Sequence, residues 1–168
     1  MRNPTARMLP DGKRLHLHCG PIDLVVEADG EAEEIDLAMR EATRDFRPVL
    51  TGLVAELTML RTPVTPGRKS LHGPIASAME DAALAFADHD VTPMIAVAGA
   101  VAQYITKGIV ARRNLDRLYV NNGGDISLYL NQGHNFDIGI VNRIDAPEIS
   151  MKARVSAEDD VGGIATSG

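Results

Sequence analysis

Leucine and histidine alternate in RLHLHC, Arg14 to Cys19, with Leu15 and Leu17 on one side and His16 and His18 on the other. That is the period of a half-buried strand. Gly20-Pro21 interrupts it, and Ile22 to Ala28 reads as its antiparallel partner, so the first predicted element is a hairpin. After Asp29-Gly30 the period changes: Ile35, Met39, Ala42 and Phe46 recur at helical spacing. Glu31, Glu33, Glu34 and Asp36 crowd the first turns, where the helix dipole favours acidic groups, and Asp36 and Arg40 form an i,i+4 pair. Pro48 predicts a kink or a restart, after which Leu50, Leu53, Val54, Leu57 and Leu60 resume the spacing.

Thr62 to Lys69 is a Pro/Gly/basic loop, and Pro74 to Ala87 is an alanine-rich helix with proline at its first position. Asp88-His89-Asp90 closes it. Thr92 then stands where an N-cap belongs and Pro93 at the first helical position, predicting a helix to about Ala111. Its first half is apolar nearly all round and is predicted to be buried. Strands follow over Arg117–Asn121, Ile126–Leu130, Phe136–Val141 and Ile149–Val155, with turns at Gln132-Gly133 and Asp145-Ala146-Pro147. This half reads as a meander. Strands, helices, then strands predict an α+β domain over 1–168: one antiparallel sheet with helices packed on a face.

Composition narrows the picture. The chain has 168 residues, 45% of them hydrophobic but only 4% aromatic, so its core is aliphatic. A net charge of −6 without a basic stripe argues against nucleic acid as a partner. The lone Cys19 excludes an internal disulfide and fits a reducing compartment. No apolar run follows the basic N-terminus, so it does not read as a signal peptide. Val91 to Val110 carries Gln103, Tyr104, Thr106 and Lys107, which suits a soluble core helix and not a membrane span. A cytoplasmic protein is expected.

Four stretches carry candidate chemistry. In NNGGD, Asn121 to Asp125, consecutive glycines allow backbone N–H groups to converge on a diphosphate, and Asp125 is placed to hold a metal or a ribose hydroxyl. The structural alternative is a bulge with asparagines bonding the local backbone, and NNGGD matches neither GxGxxG nor the P-loop. Thr166 and Ser167 in IATSG offer hydroxyls to a phosphate or metal, or make an ordinary polar turn. His16 and His18 are a partial zinc set, but no second Cys or His cluster completes four ligands. In TPMIAVAGAVAQ, Thr92 to Gln103, small side chains admit a neighbouring helix, a sheet or a ligand.

TPMIAVAGAVA, YVNNGGDISLYL and GGIATSG, in that order, resemble the UPF0280 family, a distant branch of the ApbE-like superfamily of flavin transferases. CGPIDLVVEA and FRPVLTGLVAELTMLR are similar to its early hairpin and long helix, so the resemblance runs from about Leu15 onward. It implies an ApbE-like sandwich with a pocket for FAD, FMN or another nucleotide, and magnesium. Thr92, Asn122, Gly123, Gly124, Asp125, Thr166 and Ser167 would line that pocket, Asp125 reaching the metal. Against this, the lysine-glycine pair of the transferases is replaced by AVAG, and Lys107-Gly108 lies too far along. The late Asp/Thr magnesium motif is also absent from this chain. The resemblance further implies a C-terminally truncated chain, whose missing segment is a candidate partner as a cleaved piece. Two functions stay open: a magnesium-dependent transferase or hydrolase acting on a small phosphorylated ligand, and a non-catalytic binding or homodimeric assembly module.

Overall fold

A computed structural model describes residues 3–141, 149 and 151–165. The first hairpin forms as its alternation predicts: β2 (Leu15–Cys19) pairs with β3 (Ile22–Asp29). Leu15, Leu17, Leu24 and Val26 point into the core. Each such fully buried side chain contributes roughly 1.5–3 kcal/mol. An unpredicted strand, β1 (Thr5–Met8), lies outside β2 with every residue exposed. On its other side β3 pairs with β4 (Arg117–Asn122), which turns directly into β5 (Asp125–Leu130). The short β8 (Gly163–Ile164) closes that edge, giving a six-stranded antiparallel sheet in the order β1-β2-β3-β4-β5-β8.

The helices are α1 (Ala32–Phe46), α2 (Val49–Ala55), α3 (Leu57–Leu60), α4 (Pro74–Leu84) and α5 (Val97–Val110). The chain restarts at Pro48, and α1 buries Met39, Ala42 and Phe46 at the predicted spacing, with Ala38 added and Ile35 only partly buried. The i,i+4 pair of Asp36 and Arg40 is formed at 2.8 Å. α5 lies on β4 and β5, flanked by α1 and α4. By length and composition Pro93–Val110 is apolar enough to cross a membrane, yet it buries Val101, Ala102, Ile105 and Ile109 within the domain.

The α+β class and the antiparallel sheet are as expected, but four details differ. The meander does not continue: β6 (Asn135–Ile140) and β7 (Met151–Ser156) form a separate two-stranded ribbon. β8 occupies the edge of β5 that β6 would have needed. The ribbon is tied to the outer face of the sheet by Phe136, edge-on to Tyr119 at 6.2 Å and beneath the Arg117 guanidinium at 5.3 Å. Helix α4 stops at Leu84, and Ala87–His89 is a separate 3-10 turn ended by Asp90 at φ 54°. The stretch after Thr92 opens as a 3-10 turn, Pro93–Ala96, before α5 begins. Its first half is also only partly buried, because it walls an open cleft. The turn expected at 145–147 lies outside the described residues.

Two carboxylates fix the loop that delivers α4. Glu56 accepts the N–H groups of His72 and Gly73, each at 2.8 Å, and so caps α4 in place of a residue at its own N-cap. Glu80 is 3% exposed and accepts the Ser70 N–H and hydroxyl, both at 2.9 Å, and the Leu71 N–H at 3.2 Å. Burial alone would raise the Glu80 pKa. The bonds from Leu71 and Ser70 outweigh it and hold the carboxyl below the usual glutamate value.

Glu80→Ala leaves those buried donors unpaired and is expected to cost about 1–3 kcal/mol in denaturant unfolding. Because the folded-state pKa is depressed, this contribution is present above the unfolded glutamate pKa. It is lost as pH falls through the folded value. The gap between wild type and variant should therefore narrow on acidification.

Candidate functional site

The β4–β5 register decides which side chains face the helices. Leu118 lies opposite Tyr129, Val120 opposite Ser127 and Asn122 opposite Asp125. Leu118 and Val120 are core residues, so Ser127 and Asp125 share the helix-facing side of β5. This side of the sheet is aliphatic through β2 and β3 and turns polar here.

The two glycines between β4 and β5 form a two-residue hairpin turn, not a bulge. Gly123 and Gly124 have φ of 62° and 106°, and positive φ at both central positions is the requirement of a type I′ turn. Asn121 Oδ1 accepts the Gly124 N–H at 2.9 Å, which occupies that amide. Asn122 Nδ2 donates to the Ala98 carbonyl at 3.1 Å, strapping the turn to the first turn of α5.

Beside this strap a cleft of about 380 Å³ opens between α4, the start of α5, β5 and β8. Ala78 and Ala82 form one wall; Ala96, Gly99, Ala100 and Gln103 form the other. Asp125, Ile126 and Ser127 and the backbone from Gly162 to Ala165 make its floor. β8 can lie this close only because Gly163 has no side chain: a Cβ there would stand 2.7 Å from the Ile126 carbonyl oxygen. Asp125 is the only charged side chain among the described lining residues. One of its oxygens lies 3.8 Å from where a Gly99 Cβ would sit, so the carboxylate faces the positive end of α5.

Asp125 and Ser127 are not engaged by any described residue. Asp125 is half-buried and Ser127 is 6% exposed, and neither side chain has a hydrogen-bond or ion-pair partner among the described residues. That contrasts with Glu80, whose oxygens are taken up by the loop.

The sequence-selected residues separate. Asp125 reaches the cleft, whereas Asn122, Gly123 and Gly124 build the turn beside it. Thr92 precedes the 3-10 turn, makes no side-chain cap bond and does not line the cleft. Thr166 and Ser167 lie outside the described residues. His16 and His18 sit on the opposite face of the sheet, both against Asp23, at 2.9 and 3.2 Å. Among the described residues no three His, Cys, Asp or Glu side chains are grouped to hold a metal. On the same outer face, burial and then the Glu27 carboxylate push the Tyr119 hydroxyl up to about 12, so it is a fixed donor. Sequence reasoning missed Ser127 and Gln103. The signal for Ser127 was available: two residues past Asp125 in a strand is the same face.

A family model described as AbpE bacteria matches residues 6–168, and the chain belongs to that family. This overturns the resemblance to the UPF0280 family and to ApbE-like flavin transferases; of the fold it implied, the α+β class with an antiparallel sheet stands. The glycine-asparagine stretch that carried much of that resemblance serves a tight hairpin. The comparison with curated proteins gave no match.

Gly124→Val puts a β-branched residue at φ 106° and is expected to cost about 1–3 kcal/mol or more in thermal or denaturant unfolding. Gly99→Ala should act oppositely. Its Cβ meets Asp125 at an ordinary contact distance of 3.8 Å, and a helical Gly→Ala exchange contributes about 0.5–1 kcal/mol of stability. A raised melting temperature for Gly99→Ala would check the placement of Asp125 against α5.

Proposed function

We propose that this member of the AbpE bacteria family is a small-molecule-binding domain, whose cleft takes a planar ring of the nucleotide class. One observation carries the reading: the Asp125 carboxylate and the Ser127 hydroxyl share one face of β5, line the cleft and have no partner among the described residues. The Ser127 hydroxyl opens onto the cleft and is available to bond a ligand there, a bond that contributes about 0.5–1.5 kcal/mol. The alanines and Gly99 of the facing walls project no large side chain that would block a flat ring. A volume of about 380 Å³ lies within the range of small-molecule sites.

Phosphate groups are compatible only in a particular way. The described lining holds no lysine or arginine, and the helix end faces a carboxylate already. A phosphate beside Asp125 therefore needs a divalent cation such as magnesium between them. Among the described lining residues no second titratable group stands beside Asp125 to act as a base, so the reading is of binding, not of transfer or hydrolysis. The lone, buried Cys19 supports a reducing, cytoplasmic setting. A second reading, burial of this face against another copy of the chain, is supported by Phe86 and Ile95, each 55% exposed on segments flanking the cleft.

Titration with nucleoside monophosphates, ATP, FMN and FAD, with and without magnesium, tests the first reading by calorimetry and thermal shift. Saturable binding is expected. Asp125→Asn should weaken it roughly ten- to a hundredfold, the loss of one bond to a charged acceptor, without altering the circular dichroism spectrum. No response to any of these ligands, with a dimer in sedimentation, would replace the first reading by the second.

A further inference from the structure

Asp125 restricts what the ring can be. An ionised carboxylate only accepts hydrogen bonds, so the ring edge that meets it must donate. The described lining offers no cation to reconcile the carboxylate with an acceptor. A carboxylate is best matched by two adjacent N–H groups in one plane, the arrangement that makes bidentate pairs stronger than single bonds. Ser127, whose hydroxyl donates or accepts, is two residues further on the same face, a backbone separation of about 6.5–7 Å that matches the length of a fused two-ring heterocycle.

We infer that the cleft selects planar rings carrying two adjacent N–H donors on one edge, as guanine does with its ring N–H and exocyclic amine. Rings that place an acceptor at that edge, as adenine does, are disfavoured. This rests on the proposed binding function and specifies its ligand. Adenine turns a ring nitrogen lone pair toward the carboxylate; hypoxanthine keeps the ring N–H but lacks the amine. Each missing charge-assisted bond weakens binding roughly ten- to a hundredfold.

The test is calorimetric or competition binding of guanosine, inosine and adenosine monophosphates to wild type, Asp125→Asn and Ser127→Ala. The guanosine compound should bind at least tenfold more tightly than either of the others, and Asp125→Asn should collapse that ratio toward one. Ser127→Ala should weaken all three while keeping the order. Equal binding of the adenosine and guanosine compounds to wild type would overturn this inference and leave the binding function standing. If none of the three binds while another ring compound does, the inference is also overturned. Silence toward every ring compound would overturn both. Should Asp125→Asn fail to fold, the wild-type ratio of guanosine to inosine compound decides alone.

Discussion

The pairing of β3 with β4 is the constraint on which the rest of the domain depends. It joins a strand near the start of the chain to one far along it, in a register running from Leu24–Asn122 to Asp29–Arg117. Everything between them is helix and loop that must close over one face of the sheet. The closure is favourable because both strands present aliphatic side chains there, Leu24 and Val26 from one and Leu118 and Val120 from the other, all fully buried. With that register set, the two-residue turn leaves β5 only one way to pair. Asp125 and Ser127 arrive under α5 as a consequence.

Three carboxylates show how one chemical group serves different ends. Glu56 and Glu80 are consumed by backbone N–H groups and act as clamps on the loop before α4. Asp125 faces the first turn of a helix, and neither of its oxygens has a partner among the described residues. The clamps hold α4 as a wall of the cleft, so the satisfied carboxylates maintain the space that the unsatisfied one faces. A half-buried carboxylate that no described residue holds is free to meet a ligand, which the two clamping carboxylates are not.

Much of the fold was legible because its signals are local. Alternation through Leu15 and Leu17 marked β2, and the spacing of Met39, Ala42 and Phe46 marked α1. Pro48 marked the restart. What was not legible depends on neighbours. Alternation tells which way a side chain points but not which strand lies alongside, so the departure of β6 and β7 from the sheet left no trace. β1 is exposed on every residue and has no pattern to read. The cleft escaped because Ala96 and Ala100 look alike whether they pack against a helix or line a gap. The resemblance to flavin transferases failed for a related reason: Asn and Gly together are what a tight hairpin demands of any sequence, whatever its family.

The turn at Gly123-Gly124 has a consequence for how this domain can change over generations. Strand geometry has a period of two, so a one-residue slip of β5 against β4 exchanges its faces. Asp125 and Ser127 would then emerge among Tyr119 and Phe136, and Ile126 and Leu128 would fill the cleft. Outward positions of β5 are free to drift in identity, but the hairpin is not free to drift in length. Descendants of this chain should accumulate insertions and deletions elsewhere and keep the parity of this loop.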